Sequence, residues 1–104
     1  MIESWLRSDR LRLTAITAFE LRLGSDFIAR RGSIEPLLAR RTLPLDALAA
    51  VLAGEIHADL TARGEGIGLR DSLIAGICRR FDLPLATRNV RHFERVAGLR
   101  LTPV

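Results

Sequence analysis

The sequence predicts an α/β fold with a parallel sheet, because short apolar segments alternate along the chain with segments of helical periodicity. The clearest strand is Leu83–Thr87, which follows one helix-like segment and precedes another. Two further strands are predicted at Leu11–Thr17 and over the closing residues LRLTPV. In parallel sheets, ligands bind at the carboxyl ends of the strands. Polar side chains at those positions are therefore the first candidates for chemistry.

The first part of the chain is predicted to form a helix, a strand and a second helix. The first helix covers Glu3–Ser8, and the strand Leu11–Thr17 follows a turn. The second helix covers Ala18–Leu23, with Thr17 as its N-cap. Glu20 then stands at the third helical position, which is the spacing of a capping box.

The middle of the chain is predicted to contain three helices and an edge strand. The helices cover Asp26–Arg31, the segment from the cap Ser33 to Arg41, and the segment from the cap Asp46 to about Arg63. Thr42–Leu45 contains a proline and is predicted to be an edge strand. The apolar stripe of the third helix is expected to comprise Leu48, Val51, Leu52, Ile56 and Leu60.

The stretch from Ile67 to Phe93 is predicted to organise the rest of the fold. Its first helix carries Asp71 at the front, and the buried strand Leu83–Thr87 follows. Asn89 lies where that strand ends and a short helix carrying His92 begins. The apolar stripe of the first helix comprises Leu69, Leu73, Ile74, Ile77, Cys78 and Phe81.

Length and composition favour one cytoplasmic domain over residues 1–104. Apolar residues make up 48% of the 104 residues, which argues against a disordered chain. No apolar run approaches the roughly 20 residues that span a bilayer, and MIESWLRSDR lacks the apolar core of a signal peptide. Cys78 is the single cysteine, so no internal disulfide is expected.

The basic residues are all arginines, 16 against 12 acidic residues, giving a formal charge of +4. The guanidinium fork suits phosphate, because it can make two parallel hydrogen bonds. Arg88, Arg91 and Arg95 lie near the end of the predicted strand and are candidates for contacting RNA phosphates. The alternative is that they are ordinary solvated surface residues.

The candidate catalytic residues are Glu20, Asp71 and Asn89. Glu20 and Asn89 each follow the carboxyl end of a predicted strand, and Asp71 opens a helix. Oxygen ligands suit Mg²⁺ or Mn²⁺, which activate water and stabilise charge on a phosphodiester. Each residue also has a structural alternative, because Glu20 can complete a capping box and the other two can cap helices.

Three segments resemble the PIN domain of VapC-type toxins, and the resemblance covers essentially the whole chain. Its most specific parts are A-I-T-x-x-E, D-x-L-I-A and L-A-T-R-N-V-R-H-F, in that order. It implies a three-layer α/β fold and a metal-dependent endoribonuclease that is the toxin of a type II toxin–antitoxin system. It also implies Mg²⁺ or Mn²⁺ held by Glu20 and Asp71, an Asn89 in a position that is often Asp, a homodimer and an antitoxin partner.

One part of the family pattern is missing, since such domains normally open with a strand that ends in the first metal-binding aspartate. Before Glu20 the acids are Glu3 and Asp9. Asp9 precedes the predicted strand and would lie about 20 Å from the site. We therefore expect an N-terminally truncated domain with an incomplete sheet. A late start, a degenerate gene product, or a second chain filling the gap would each account for this.

The sequence leaves three functional hypotheses. The first is a PIN-family ribonuclease toxin, impaired as written, because two carboxylates and an amide hold a cation weakly. The second is a non-catalytic pseudo-nuclease that binds an antitoxin or RNA. The third is a structural fragment that is unstable alone.

Overall fold

The computed structural model describes residues 12–103. These residues fall into two compact units, which meet in the sequence between Pro44 and Leu45. The predicted helix Glu3–Ser8 and the start of the predicted strand at Leu11 lie outside the described residues. So does Asp9.

The first unit pairs two short strands and carries two helices. Strand β1 (Leu13–Thr14) leads directly into helix α1 (Ala15–Leu23), and helix α2 (Phe27–Arg41) leads directly into strand β2 (Thr42–Leu43). The strands are parallel, with Leu13 opposite Thr42 and Thr14 opposite Leu43. The core of this unit is formed by Leu13 and Leu37, with Leu21 and Leu38 packed against them.

Helix α1 begins at Ala15, so the prediction of a strand to Thr17 and a helix from Ala18 was wrong. Thr14 is the N-cap, and its Oγ1 accepts a hydrogen bond of 3.1 Å from the backbone N–H of Thr17. This capping bond overrides the β-propensity of the residues that follow. Glu20 is consequently in the middle of α1, and its capping-box reading is also wrong.

Helix α2 runs without interruption through Gly32 and Pro36, where two helices were predicted. Ser33 does not start a helix; its hydroxyl donates to the carbonyl of Arg30 at 3.1 Å. Pro36 removes only the bond to the carbonyl of residue 32, on an exposed surface that water can reach. Burial of Phe27, Ile34 and Leu37 on one face holds the helix together.

The second unit contains three helices and a second parallel pair of strands. Its elements are α3 (Ala47–Ala62), α4 (Leu69–Arg80), β3 (Leu85–Thr87), α5 (Val90–Phe93) and β4 (Leu101–Pro103). In β3 and β4, Leu85 is opposite Leu101 and Thr87 is opposite Pro103. The prediction of α/β architecture with parallel strands is confirmed. The N-cap at the start of α3 is also confirmed, because the Asp46 carboxylate accepts from the N–H of Ala49 at 2.9 Å.

The buried face of helix α3 matches the predicted stripe only in part, because Ile56 and Leu60 are buried as predicted and two other members are not. Leu48 and Val51 are 59% and 57% exposed, whereas Ala49 and Ala53 are fully buried. Small residues allow the backbones of α3 and α4 to approach closely, and Leu48 and Val51 lie on the exposed side of α3. On α4, Leu69 is also exposed, although it was predicted to be on the buried stripe. The core of this unit is formed by Ile56, Leu60, Ile67, Ala75, Phe93 and Val96.

Strand β3 is shorter and less buried than predicted. It begins at Leu85 instead of Leu83, and Ala86 is exposed between two half-buried neighbours. Pro84, which lacks an N–H for the ladder, immediately precedes it. Across residues 12–103, no helix is long and apolar enough to cross a bilayer.

Candidate metal centre

Asp71 is held at the start of α4, three residues after the N-cap Gly68. Its side chain is only 13% exposed. One carboxylate oxygen, Oδ1, contacts the guanidinium of Arg70, and the other, Oδ2, lies 3.0 Å from Nδ1 of His92. The N-terminus of a helix favours negative charge, and the Asp71 side chain lies there in a largely buried position. Asp71 makes no side-chain capping bond, and the structural alternative of a helix cap is therefore wrong.

His92 was placed on a helix by the sequence but not assigned to the site. It lies on α5 next to Phe93, which is buried. The two rings make an edge-to-face contact, with their centroids 5.9 Å apart. Among the described residues, the buried Nδ1 atom has no hydrogen-bond partner of good geometry, although Oδ2 of Asp71 is close. The sequence signal that could have indicated it is the H-F pair at the end of the third motif, which puts an imidazole about one helical turn after Asn89.

Asn89 is the N-cap of α5, but its side chain makes no capping bond. The turn is held by other bonds instead, since the Asn89 N–H donates to the side-chain Oγ1 of Thr87 at 2.9 Å. The Asn89 carbonyl accepts from the N–H of His92 at 3.2 Å. Asn89 therefore occupies the N-cap position, as the structural alternative predicts, but without the side-chain hydrogen bond of a cap, and its exposed amide is left for another role.

Glu20 belongs to the first unit, whereas Asp71 and Asn89 belong to the second. The Glu20 side chain is half-buried in the middle of α1. Its convergence with Asp71 on one cation stays a prediction.

A second histidine supports the front of α4. The Ser72 hydroxyl donates to the carbonyl of Gly68 at 2.8 Å. Nδ1 of His57 on α3 lies 3.1 Å from the Oγ atom of Ser72. Ser72 is 1% exposed, so its hydroxyl is not accessible as a nucleophile. The pair fixes the first turn of α4, which carries Asp71, against α3.

The three candidate arginines differ in their surroundings. Arg88 and Arg91 are exposed on either side of Asn89. Arg95 is half-buried, and its guanidinium donates to the carbonyl of Glu65 at 3.4 Å. Arg95 thus has a structural contact within the unit, whereas the exposure of Arg88 and Arg91 suits phosphate contacts.

The donor set of the second unit suits a divalent cation. It comprises the carboxylate of Asp71, the imidazole of His92 and the amide of Asn89, which opens the same short helix. Within the part of the chain that the structure describes, no three side chains of histidine, cysteine, aspartate or glutamate cluster into a metal site. A complete metal site would therefore need ligands beyond these groups.

Comparison with known proteins shows both a family and named relatives. The family model for the PIN domain matches residues 2–99. The chain is 35% identical over 100 residues to the tRNA(fMet)-specific endonuclease VapC of Shigella flexneri, covering 91% of this chain and 76% of the relative. It is 31% identical over 106 residues to Toxin FitB of Neisseria gonorrhoeae, covering 88% of this chain and 76% of the relative.

Solved structures resemble the chain as well. DNA-bound VapBC from Salmonella typhimurium matches with a TM-score of 0.79 and 31% identity, over 94% of this chain and 78% of the other. FitAcB from Neisseria gonorrhoeae matches with a TM-score of 0.76 and 30% identity, over 94% of this chain and 80% of the other. Fold and sequence therefore agree on the same group of proteins.

Proposed function

Because this chain belongs to the PIN domain family, among VapC-type members, we propose that it is a metal-dependent endoribonuclease, the toxin of a type II toxin–antitoxin pair. The observation that carries the proposal is the Asp71 carboxylate, which is nearly buried at a helix N-terminus and is not used as a cap. Burial of an ionisable group beside specific charged or ionisable partners, here Arg70 and His92, is typical of functional sites. We also propose that residues 1–104 form one PIN domain.

The residues have distinct roles in the proposed reaction. Asp71 and Glu20 hold Mg²⁺ or Mn²⁺, which when bound supplies an activated water and stabilises charge on the phosphodiester. Asn89 orients a water or a phosphate oxygen with its uncapped amide. Exposed Arg88 and Arg91, with Arg95 behind them, neutralise the phosphates of the RNA substrate.

The proposed partners follow from the relatives. The names of the solved relatives, VapBC and FitAcB, are those of toxin–antitoxin complexes. We propose an antitoxin partner for this chain and a homodimer as its own assembly.

The test is RNA cleavage by the chain in increasing Mg²⁺ or Mn²⁺, compared with Asp71→Asn and Glu20→Gln. We expect this cleavage to be weak, because two carboxylates and an amide hold a cation weakly, to require the cation, and to fall to background in both variants. Asp82→Asn is the matched control, because Asp82 is 94% exposed and its positive φ of 53° is one that asparagine tolerates. This control should cleave like the wild type.

Undiminished cleavage by Asp71→Asn would remove this residue from the site. An absence of cleavage at every cation concentration would favour the pseudo-nuclease alternative. In that case RNA binding should persist and weaken steeply with salt, because counterion release drives phosphate contacts.

A further inference from the structure

We propose that His92 is itself a metal ligand, whose Nδ1 binds the same divalent cation as Oδ2 of Asp71. This deepens the function proposed above and rests on it. The consequence is a mixed nitrogen and oxygen site that prefers Mn²⁺ to Mg²⁺. Three observations in the second unit support it.

The first observation is the distance between the two donor atoms. Nδ1 of His92 and Oδ2 of Asp71 are 3.0 Å apart, yet Nδ1 has no hydrogen-bond partner of good geometry among the described residues. Two donors bound to one cation at about 2.1 Å and at a right angle lie about 3.0 Å apart. In that arrangement the lone pairs of Nδ1 and Oδ2 point at the cation and not along the line that joins the two atoms. The contact therefore has the spacing of neighbouring ligands without the alignment of a hydrogen bond.

The second observation is that the imidazole is held in place. His92 precedes the buried Phe93, and its ring packs edge-to-face on that phenyl ring. The N–H groups of both residues donate to the Asn89 carbonyl, at 3.2 and 3.3 Å. A buried polar atom without a partner is rare and needs an explanation, and a bound ion is one.

The third observation is that the two oxygens of the Asp71 carboxylate face different partners. Arg70 contacts Oδ1, and its side chain is 55% exposed. Oδ2 lies toward His92, on the side where the cation is proposed. Arg70 and the cation thus use different oxygens of the same carboxylate.

The expected metal preference follows from the ligand types. Mg²⁺ is a hard ion that favours oxygen ligands, whereas imidazole suits first-row transition metals better. A nitrogen donor at this position should therefore raise affinity for Mn²⁺ more than affinity for Mg²⁺. Substitution by a carboxylate should reverse this selectivity.

The test uses the full chain, Mn²⁺ binding and pulsed electron paramagnetic resonance of the bound ion. An imidazole ligand produces a ¹⁴N coupling, and the chain has two histidines, His57 and His92. The coupling should be present in the wild type and in His57→Gln, the matched control, and absent in His92→Gln. Affinity for Mn²⁺ should fall at least about tenfold in His92→Gln, with a smaller change for Mg²⁺. In His92→Glu, binding of Mg²⁺ should strengthen relative to Mn²⁺, without the ¹⁴N coupling.

Bound Mn²⁺ without an imidazole ¹⁴N coupling in the wild type would overturn the proposal, as would unchanged Mn²⁺ affinity in His92→Gln. If His92→Gln fails to fold by circular dichroism, the wild-type and His57→Gln spectra still decide, because coupling in both assigns the ligand to His92. Asp71→Asn separates the two proposals. If Asp71→Asn binds Mn²⁺ as tightly as the wild type, the metal site of the proposed function is refuted. If Asp71→Asn loses Mn²⁺ affinity and the wild type shows no ¹⁴N coupling, only the role of His92 is refuted.

Discussion

Gly76 on α4 packs so closely on Ala53 of α3 that a β-carbon at Gly76 would lie 2.5 Å from the Ala53 β-carbon. It would also lie 2.7 Å from the carbonyl oxygen of Ala49. No real side chain tolerates these distances, so the position requires glycine despite the low helix propensity of that residue. This close approach explains why α3 buries its small residues.

We therefore expect Gly76→Ala to lower the free energy of unfolding by roughly 1–3 kcal/mol, because the helices must separate. Urea denaturation measures the effect. Gly54→Ala on α3 is the control, since nothing lies within 4 Å of its β-carbon position. It should stabilise by about 0.5–1 kcal/mol through helix propensity. Equal stability of the two variants would contradict the close helix contact.

Asp46 gives a prediction for the dependence of stability on pH. The hydrogen bond from the Ala49 N–H is the main cause that holds the pKa of this carboxyl below its ordinary 3.8. Burial opposes it, and the hydrogen bond and ion pair with Arg80, at 3.0 Å, lower the pKa as well. A carboxyl with a lowered pKa stabilises the fold fully above its unfolded-state pKa. That contribution should disappear as the pH falls from about 4 through the lowered folded-state pKa.

The measurement is urea denaturation from neutral to acidic pH, for the wild type and Asp46→Asn. Asparagine also caps helices well but does not titrate. The stability difference should be present at neutral pH and vanish in acid. A difference that is independent of pH would show that the charge of Asp46 contributes nothing.

Cys78 should be inert in the folded protein. It is 4% exposed, and burial raises the pKa of its thiol to about 11. The thiolate is the reactive form, so alkylation by iodoacetamide at about pH 8 should be very slow in the native state. In denaturant it should proceed at the rate of a free cysteine. Mass spectrometry follows the modification, and rapid labelling of the native chain would show that α4 opens readily.

Asn89 and Thr87 should separate function from stability. Asn89→Ala should leave the unfolding free energy nearly unchanged, because its side chain caps nothing, yet it should reduce RNA cleavage. Thr87→Val removes the acceptor of the Asn89 N–H and should cost about 0.5–1.5 kcal/mol of stability. A stability loss in Asn89→Ala as large as in Thr87→Val would restore a structural role for Asn89.

Local signals in the sequence were sufficient for several elements. The cap at Asp46, the helix carrying Asp71 and the closing strand are encoded within a few residues, and the structure has all three. The family resemblance predicted from the three motifs is confirmed by the PIN domain match. The local prediction failed at Thr14, which caps the helix three residues before the predicted cap Thr17.

By itself, the sequence determined the α/β class, the family and the identity of Glu20, Asp71 and Asn89 as candidate site residues, because motifs and periodicities are short-range properties. Tertiary structure alone decided that α3 buries alanines instead of Leu48 and Val51. It also decided that His92 meets Asp71, 21 positions earlier in the chain. Such contacts depend on how closely two backbones approach, and residue spacing within one segment carries no information about that distance.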